Sequence, residues 1–226
     1  MPPVQKHIAD HRCAYLLASL VVFLITGAFT KPTLAGELVE LSVFLLVMIS
    51  AISSMSDRRH ARLTASALAA PFVVIYILGY TPVTGDADRT SLVGASASLP
   101  FLAMAFWTTL GYTMQRAPIT TDRLYGAAAA FLLLALVWAG FYSIAELAWP
   151  GSFRIPPELP FVVWNDLVYF SLVTQTTLGY GDITPAGYLA RTLAVLHACA
   201  GLFYMGAIVA YLVAAYSRPA EPPGGP

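Results

Sequence analysis

Apolar residues fall in long unbroken blocks separated by short polar turns. Six blocks approach the length of about 20 residues that crosses roughly 30 Å of hydrocarbon. They are Cys13 to Phe29, Leu38 to Met55, Leu63 to Tyr80, Leu92 to Met114, Leu124 to Leu147 and Tyr188 to Tyr216. A seventh run, Phe161 to Thr177, is interrupted by Asn165 and Asp166. Its helical part is about 11 residues, or roughly 17 Å, too short to span, so it is expected to enter the membrane and return. The pattern predicts an all-α membrane protein with six transmembrane helices and one re-entrant helix over 165–176.

Composition agrees: 58% of the 226 residues are hydrophobic and 11% charged, which excludes an ordinary soluble domain. Charge then orients the chain, because cytoplasmic loops carry an excess of Lys and Arg. With the N-terminus inside, Lys6, Arg12, Arg58, Arg59, Arg62, Arg116, Arg123 and Arg218 are cytoplasmic, leaving Lys31, Arg89, Arg154 and Arg191 outside. Both termini are therefore expected in the cytoplasm, with the chain multi-pass in the inner (plasma) membrane and bathed by membrane lipid. A basic region and the small Ala28 and Ala35 give the first span the look of a cleavable signal. Its removal would leave five spans and spoil the charge asymmetry, so it is expected to stay.

The divisions expected are a cytoplasmic N-terminus (1–12), a four-helix transmembrane domain (13–115), a cytoplasmic linker (116–123), a unit of span, re-entrant helix, loop and span (124–218), and a Pro- and Gly-rich disordered tail (219–226). The fourth apolar block carries no charge from Leu92 to Gln115, so it lacks the regularly spaced arginines that couple a helix to voltage. Cys13 and Cys199 form no metal cluster or disulfide framework. With no paired-carboxylate, nucleophile–base or metal-ligand arrangement, neither an enzyme nor a cofactor is expected, and no nucleic-acid partner.

The informative stretch is FVVWNDLVYFSLVTQTTLGYGDITP, Phe161 to Pro185. Asn165 suits the cap of a helix starting at Asp166, whose negative C-terminal end would then point into the membrane and favour a cation there. Non-helical backbone at that depth must be buried in protein or line a water-filled path. Thr177, Leu178, Gly179, Tyr180 and Gly181 can line such a path if their carbonyls face one axis. That needs dihedrals of alternating hand, with Gly179 and Gly181 taking positive φ without Cβ strain. Carbonyls and the Thr177 hydroxyl can replace the hydration shell of a monovalent cation, and one strand cannot surround an ion, so several chains must converge.

The run TTLGYGD, Thr176 to Asp182 with Thr176 preceding the filter, resembles the potassium-channel signature, and Leu124 to about Arg218 resembles a channel pore domain. The whole layout looks like bacterial potassium channels of six-span type without a voltage sensor. The resemblance implies a homotetramer conducting K+ passively, with K+ coordinated at Thr177, Leu178, Gly179 and Tyr180, and Gly181 as the outermost turn. Leu178 stands where Val is usual, its side chain directed away from the ion. Asp182 would sit behind the outer mouth; the Glu that pairs with it in some relatives is Val173 here, and Tyr169 lies where its hydroxyl could reach Asp182 instead. A hinge is implied at Gly201, with Gly206 a second candidate. Leu202, Met205, Val209 and Val213 are expected to line the inner vestibule. His197 reads either as a proton sensor or as a neutral residue packed between helices. Glu146 could accept hydrogen bonds at the outer face.

The alternatives are a potassium transporter subunit or a non-conducting regulatory membrane protein. Transporters of this kind typically carry several diverged pore repeats in one chain, each keeping little more than one Gly. A near-copy, TTLGY, occurs at Thr108 to Tyr112, but Thr113 replaces the second glycine and no acid follows. Its place at the end of the fourth span would require an opposite topology, so it reads as part of an interfacial aromatic belt.

Overall fold

In the computed structural model the described residues are 11–29, 33–54, 59–79, 87–115, 120–156 and 163–216. Residues 1–10 of the predicted N-terminus (1–12), residues 116–119 of the predicted linker and the whole predicted tail (219–226) lie outside them. Among the described residues seven helices form: α1 (Arg12–Phe29), α2 (Leu34–Ser54), α3 (Arg59–Gly79), α4 (Ala87–Thr113), α5 (Thr121–Ala148), α6 (Val163–Gln175) and α7 (Tyr188–Tyr216). Two short strands, β1 (Phe153–Arg154) and β2 (Thr184–Pro185), pair antiparallel across the ends of the α5–α6 and α6–α7 connections.

Among the described residues three helices are long and apolar enough to cross a membrane, over Arg89–Thr113, Thr121–Ala148 and Tyr188–Ile208. The apolar parts of α1, α2 and α3 are shorter: Arg12–Gly27, Leu38–Ser54 and Leu63–Ile75. Pro71 and Pro100 sit inside α3 and α4. The fourth helix starts five residues before its apolar block, so Asp88 and Arg89 belong to its first turn and the rest of it is uncharged.

One buried apolar cluster joins the first four helices to α5, α6 and α7, including Leu16, Val47, Phe72, Phe101, Leu102, Leu133 and Val168. The sequence division at 116–123 is therefore not a division of the core. It also ends too late, because α5 begins at Thr121 and takes Asp122 and Arg123 into its first turn, where both are buried.

Burying a carboxylate is costly unless its oxygens are occupied. Asp122 Oδ1 accepts the backbone N–H of Cys13 at 2.9 Å, satisfying one of the donors that the first turn of α1 leaves unpaired. Its Oδ2 accepts the Tyr112 hydroxyl at 3.0 Å. Arg123 donates to the Gln115 carbonyl at 3.0 Å and lies 5.7 Å from the centre of the Tyr112 ring. The Tyr211 hydroxyl of α7 reaches the same Gln115 carbonyl at 2.8 Å. One end of the bundle is thus tied across α1, α4, α5 and α7, and Tyr112, the last letter of the TTLGY near-copy, is part of the tie.

Asp122→Ala leaves the Cys13 amide and Tyr112 hydroxyl without this acceptor, and about 1–3 kcal/mol of stability should be lost. Denaturant unfolding in detergent measures it, with Asp122→Asn, which keeps one acceptor, expected to fall between the two.

Candidate functional site

The element that positions the site is α5, because three of its carbonyls, at Ala127, Phe131 and Ala135, accept side-chain donors from the two helices packed on it. A carbonyl has two lone pairs, so each can serve a helix and a visitor together. The Tyr204 hydroxyl of α7 bonds Ala127 at 2.6 Å, Gln175 Nε2 bonds Phe131 at 2.7 Å, and the Ser171 hydroxyl bonds Ala135 at 2.6 Å. Four-residue spacing puts these acceptors on one face, which sets the depth and rotation of α6 against α5.

Asn165 is not the cap of α6: the helix includes Val163 and Trp164 before it. Its side chain instead lies against α1, within 3.6 Å of where a Cβ on Gly27 would stand. Asp166 remains in the first turn and is buried.

At its other end α6 closes with a left-handed cap. The Leu178 N–H reaches back to the Val173 carbonyl at 3.0 Å and the Thr177 N–H to Thr174 at 3.1 Å, the paired bonds that end a helix when the next residue is left-handed. Thr177 is that residue, with φ +60°, where glycine is usual. Gly179 follows at φ +59° and Gly181 at +77°, so every second residue from 177 to 181 is left-handed. The Gly179 N–H also points back to Val173, at 3.4 Å. Among the described residues, no hydrogen bond ends on the carbonyl of Thr177, Leu178, Gly179 or Tyr180. The stretch from Thr176 to Asp182 is exposed on this single chain. The amides of Thr177, Leu178 and Gly179 are spent on the helix end, and the loop carbonyls are left without a protein donor, beside the negative end of the α6 dipole.

Thr176 stays with the helix, its hydroxyl on the Leu172 carbonyl at 2.7 Å. Tyr169 donates its hydroxyl to Asp182 at 2.7 Å, across the place where Val173 offers no carboxyl. This bond holds the Asp182 carboxyl below its ordinary range and pushes the Tyr169 phenol up to about 12. Beyond Asp182 the chain is pinned by β2 on β1 and by Ala186 and Gly187 N–H groups on the Ser152 carbonyl at 2.8 and 3.1 Å. Glu146 holds the other side of that connection, accepting the N–H groups of Gly151 at 2.6 Å and Phe153 at 3.0 Å. Tyr142, Phe153 and Phe170 pack there edge-on or tilted, with ring centres 5.1 to 5.3 Å apart.

Two polar side chains that sequence reasoning left out or left ambiguous meet behind the loop. Gln175, the last residue of α6, and His197 of α7 are both buried, joined Oε1 to Nε2 at 2.9 Å. His197 Nδ1 lies 2.8 Å from the Tyr142 hydroxyl, and the ring stacks on Trp138 at 4.8 Å. The signal available was a lone amide and a lone imidazole in apolar helices, each too costly to bury alone. Close by, α7 approaches so near that a Cβ on Gly201 would stand 2.8 Å from the Gln175 carbonyl oxygen. Glycine at 201 is thus required by packing, and α7 runs unbroken through both Gly201 and Gly206, the latter with open space around it. Leu202 and Met205 are 67% and 49% exposed. The Val209 and Val213 side chains lie outside the described residues. Among the described residues no group of His, Cys, Asp and Glu could hold a metal ion.

Tyr169→Phe removes the bond that depresses Asp182. A carboxyl with a lowered folded value stabilises the fold fully above its ordinary value and loses that contribution as pH falls through the folded one. The gap in melting midpoint between the protein and Y169F should therefore be present at neutral pH and close on acidification below roughly pH 4. A gap that persists unchanged into acid would show that the bond has no bearing on Asp182.

Residues 130–218 match a family model described as an ion channel, which is less than half of the chain. The chain is similar to the inward rectifier potassium channel Kirbac3.1 of Paramagnetospirillum magnetotacticum, 33% identical over 87 residues, or 38% of this chain. It is also similar to probable potassium channel protein 2 of Methanocaldococcus jannaschii, 51% identical over 45 residues, or 20% of this chain. It spans 26% and 12% of the length of these two curated relatives. No solved structure matches significantly. The matched family region begins within α5 and takes in α6, the alternating loop and α7, so the part of this membrane protein that carries the site is the part that is similar to ion channels.

Proposed function

We propose that the protein is a potassium-selective channel in which four identical chains each contribute residues 177–181 to one central filter. The observation that carries the reading is the alternation of left-handed residues at 177, 179 and 181 with the carbonyls between them unclaimed by protein. Four such strands give rings of oxygen that take the place of water around a dehydrated K+, which passes down its gradient by displacement between adjacent sites. The Thr177 hydroxyl completes the inner ring. No voltage-sensing helix is needed for this, and the uncharged body of α4 supplies none.

Assembly follows from what a single chain leaves uncovered. Leu178, Tyr180, Val195, Leu196, Leu202 and Phe203 are large, apolar and exposed on the loop and α7. Packing between chains covers part of this surface and the pore takes the rest, with Leu202 and Met205 in the inner vestibule and Val209 and Val213 continuing it. Bending of α7 is placed at Gly201, with Gly206, around which a single chain leaves open space, as the second position. The first four helices add to α5 and α7 to give six spans, with both termini in the cytoplasm and the chain in the inner membrane, as the distribution of Lys and Arg supports.

Purified protein in liposomes should pass K+ and not Na+, and barium should block it. Gly179→Ala imposes about 1–2 kcal/mol of left-handed strain on every chain of the ring, and K+ flux should fall to the level of empty vesicles. Undiminished flux in G179A would remove residues 177–181 from the ion path.

A further inference from the structure

The donors and acceptors behind the loop can be oriented one by one. The Phe131 carbonyl only accepts, so the Gln175 side-chain nitrogen must face it, at 2.7 Å. Gln175 Oε1 therefore faces His197, and because an amide oxygen only accepts, His197 Nε2 carries a proton, at 2.9 Å. In the neutral ring Nδ1 is then the acceptor, and the Tyr142 hydroxyl donates to it at 2.8 Å. A second proton on the ring would turn Nδ1 into a donor, and the Tyr142 hydroxyl would lose the acceptor it now uses. All the bonds run one way, from Tyr142 through His197 and Gln175 to Phe131.

This chain starts on α5, crosses α7 and the end of α6, and finishes on α5 one side of the loop. Gln175 is the last residue of α6, two before Thr177, and its own carbonyl is packed against Gly201. Gln175 is thus held by both α5 and α7 at the point where the left-handed cap begins. On the reading of residues 177–181 as the ion path, we infer that Gln175 and His197 are positioning residues of the filter. The one-way relay from Tyr142 to Phe131 fixes where the Thr177 oxygens stand, and with them the inner ring's discrimination of K+ from Na+. It does the work on the inner side that the Tyr169–Asp182 bond does on the outer side.

Two measurements test it. The first is independent of conduction: nitrogen NMR of 15N-histidine protein at neutral pH, with the His197 signals identified by their loss in His197→Gln. A protonated Nε2 beside a bare Nδ1 is expected; a proton on Nδ1, alone or together with Nε2, overturns the relay. The second is the K+/Na+ permeability ratio from reversal potentials. His197→Phe keeps a ring on Trp138 but strands Gln175 Oε1, and the ratio should fall about tenfold, the cost of one buried hydrogen bond left unmade. His197→Gln can still donate to Gln175 and should recover much of that ratio. Tyr142→Phe, which keeps its ring contacts and cuts only the first bond, should lower the ratio by a smaller factor, and it carries the test if H197F does not assemble. Wild-type selectivity in H197F, or in Y142F where H197F is lost, overturns the inference. A wild-type protein that passes no K+ would instead overturn the channel reading, while the NMR result stands apart from it.

Discussion

Second hydrogen bonds on the α5 carbonyls are the interaction on which the rest of the structure rests. In hydrocarbon no water is present to satisfy a side-chain donor, and a helix already uses each carbonyl once. Ala127, Phe131 and Ala135 offer their remaining lone pairs to Tyr204, Gln175 and Ser171, and so hold α7 and α6 at fixed heights on one face of α5. The short α6 depends on these bonds more than the long helices do, because its few turns bury less apolar surface. Where α6 is held, its left-handed end at Thr177 is held, and the alternation that follows starts from a fixed point.

The helix cap and the loop are therefore one device. A helix commonly ends by turning one residue left-handed and drawing the next amides back onto its last carbonyls. Here the left-handed turn is repeated at Gly179 and Gly181, so the geometry of a helix stop is prolonged into an extended stretch whose carbonyls take no protein donor. Thr177 bears strain that a glycine would avoid, and what glycine would lack is a hydroxyl at the start of the stretch.

Much of this was legible in the sequence. The apolar block from Tyr188 to Tyr216 coincides with α7, since a membrane-length run has little choice but helix, and Gly179 and Gly181 announce positive φ because they lack a Cβ. The Tyr169 and Asp182 pair was readable through the resemblance to potassium channels, which places a pairing acid where Val173 stands, one helical turn from Tyr169. Asn165 misled because capping chemistry suits a helix start in any sequence, whereas its amide has a tertiary contact at Gly27. Positive φ at Thr177 was hidden because threonine has no preference for it; the helix end imposes it. Asp122, Gln175 and His197 were hard to assign because their partners are set by which helices touch, and periodicity within one helix does not report the neighbour.

The Cys13 amide and the Asp122 carboxylate stand 109 residues apart in the chain. During synthesis, the first turn of α1 keeps a donor unpaired with this carboxylate until α5 has emerged. The first four helices are thus not a finished module to which a pore unit is later attached. Their closure waits on the fifth, and a ribosome stalled before Asp122 would leave a bundle whose opening helix lacks its anchor.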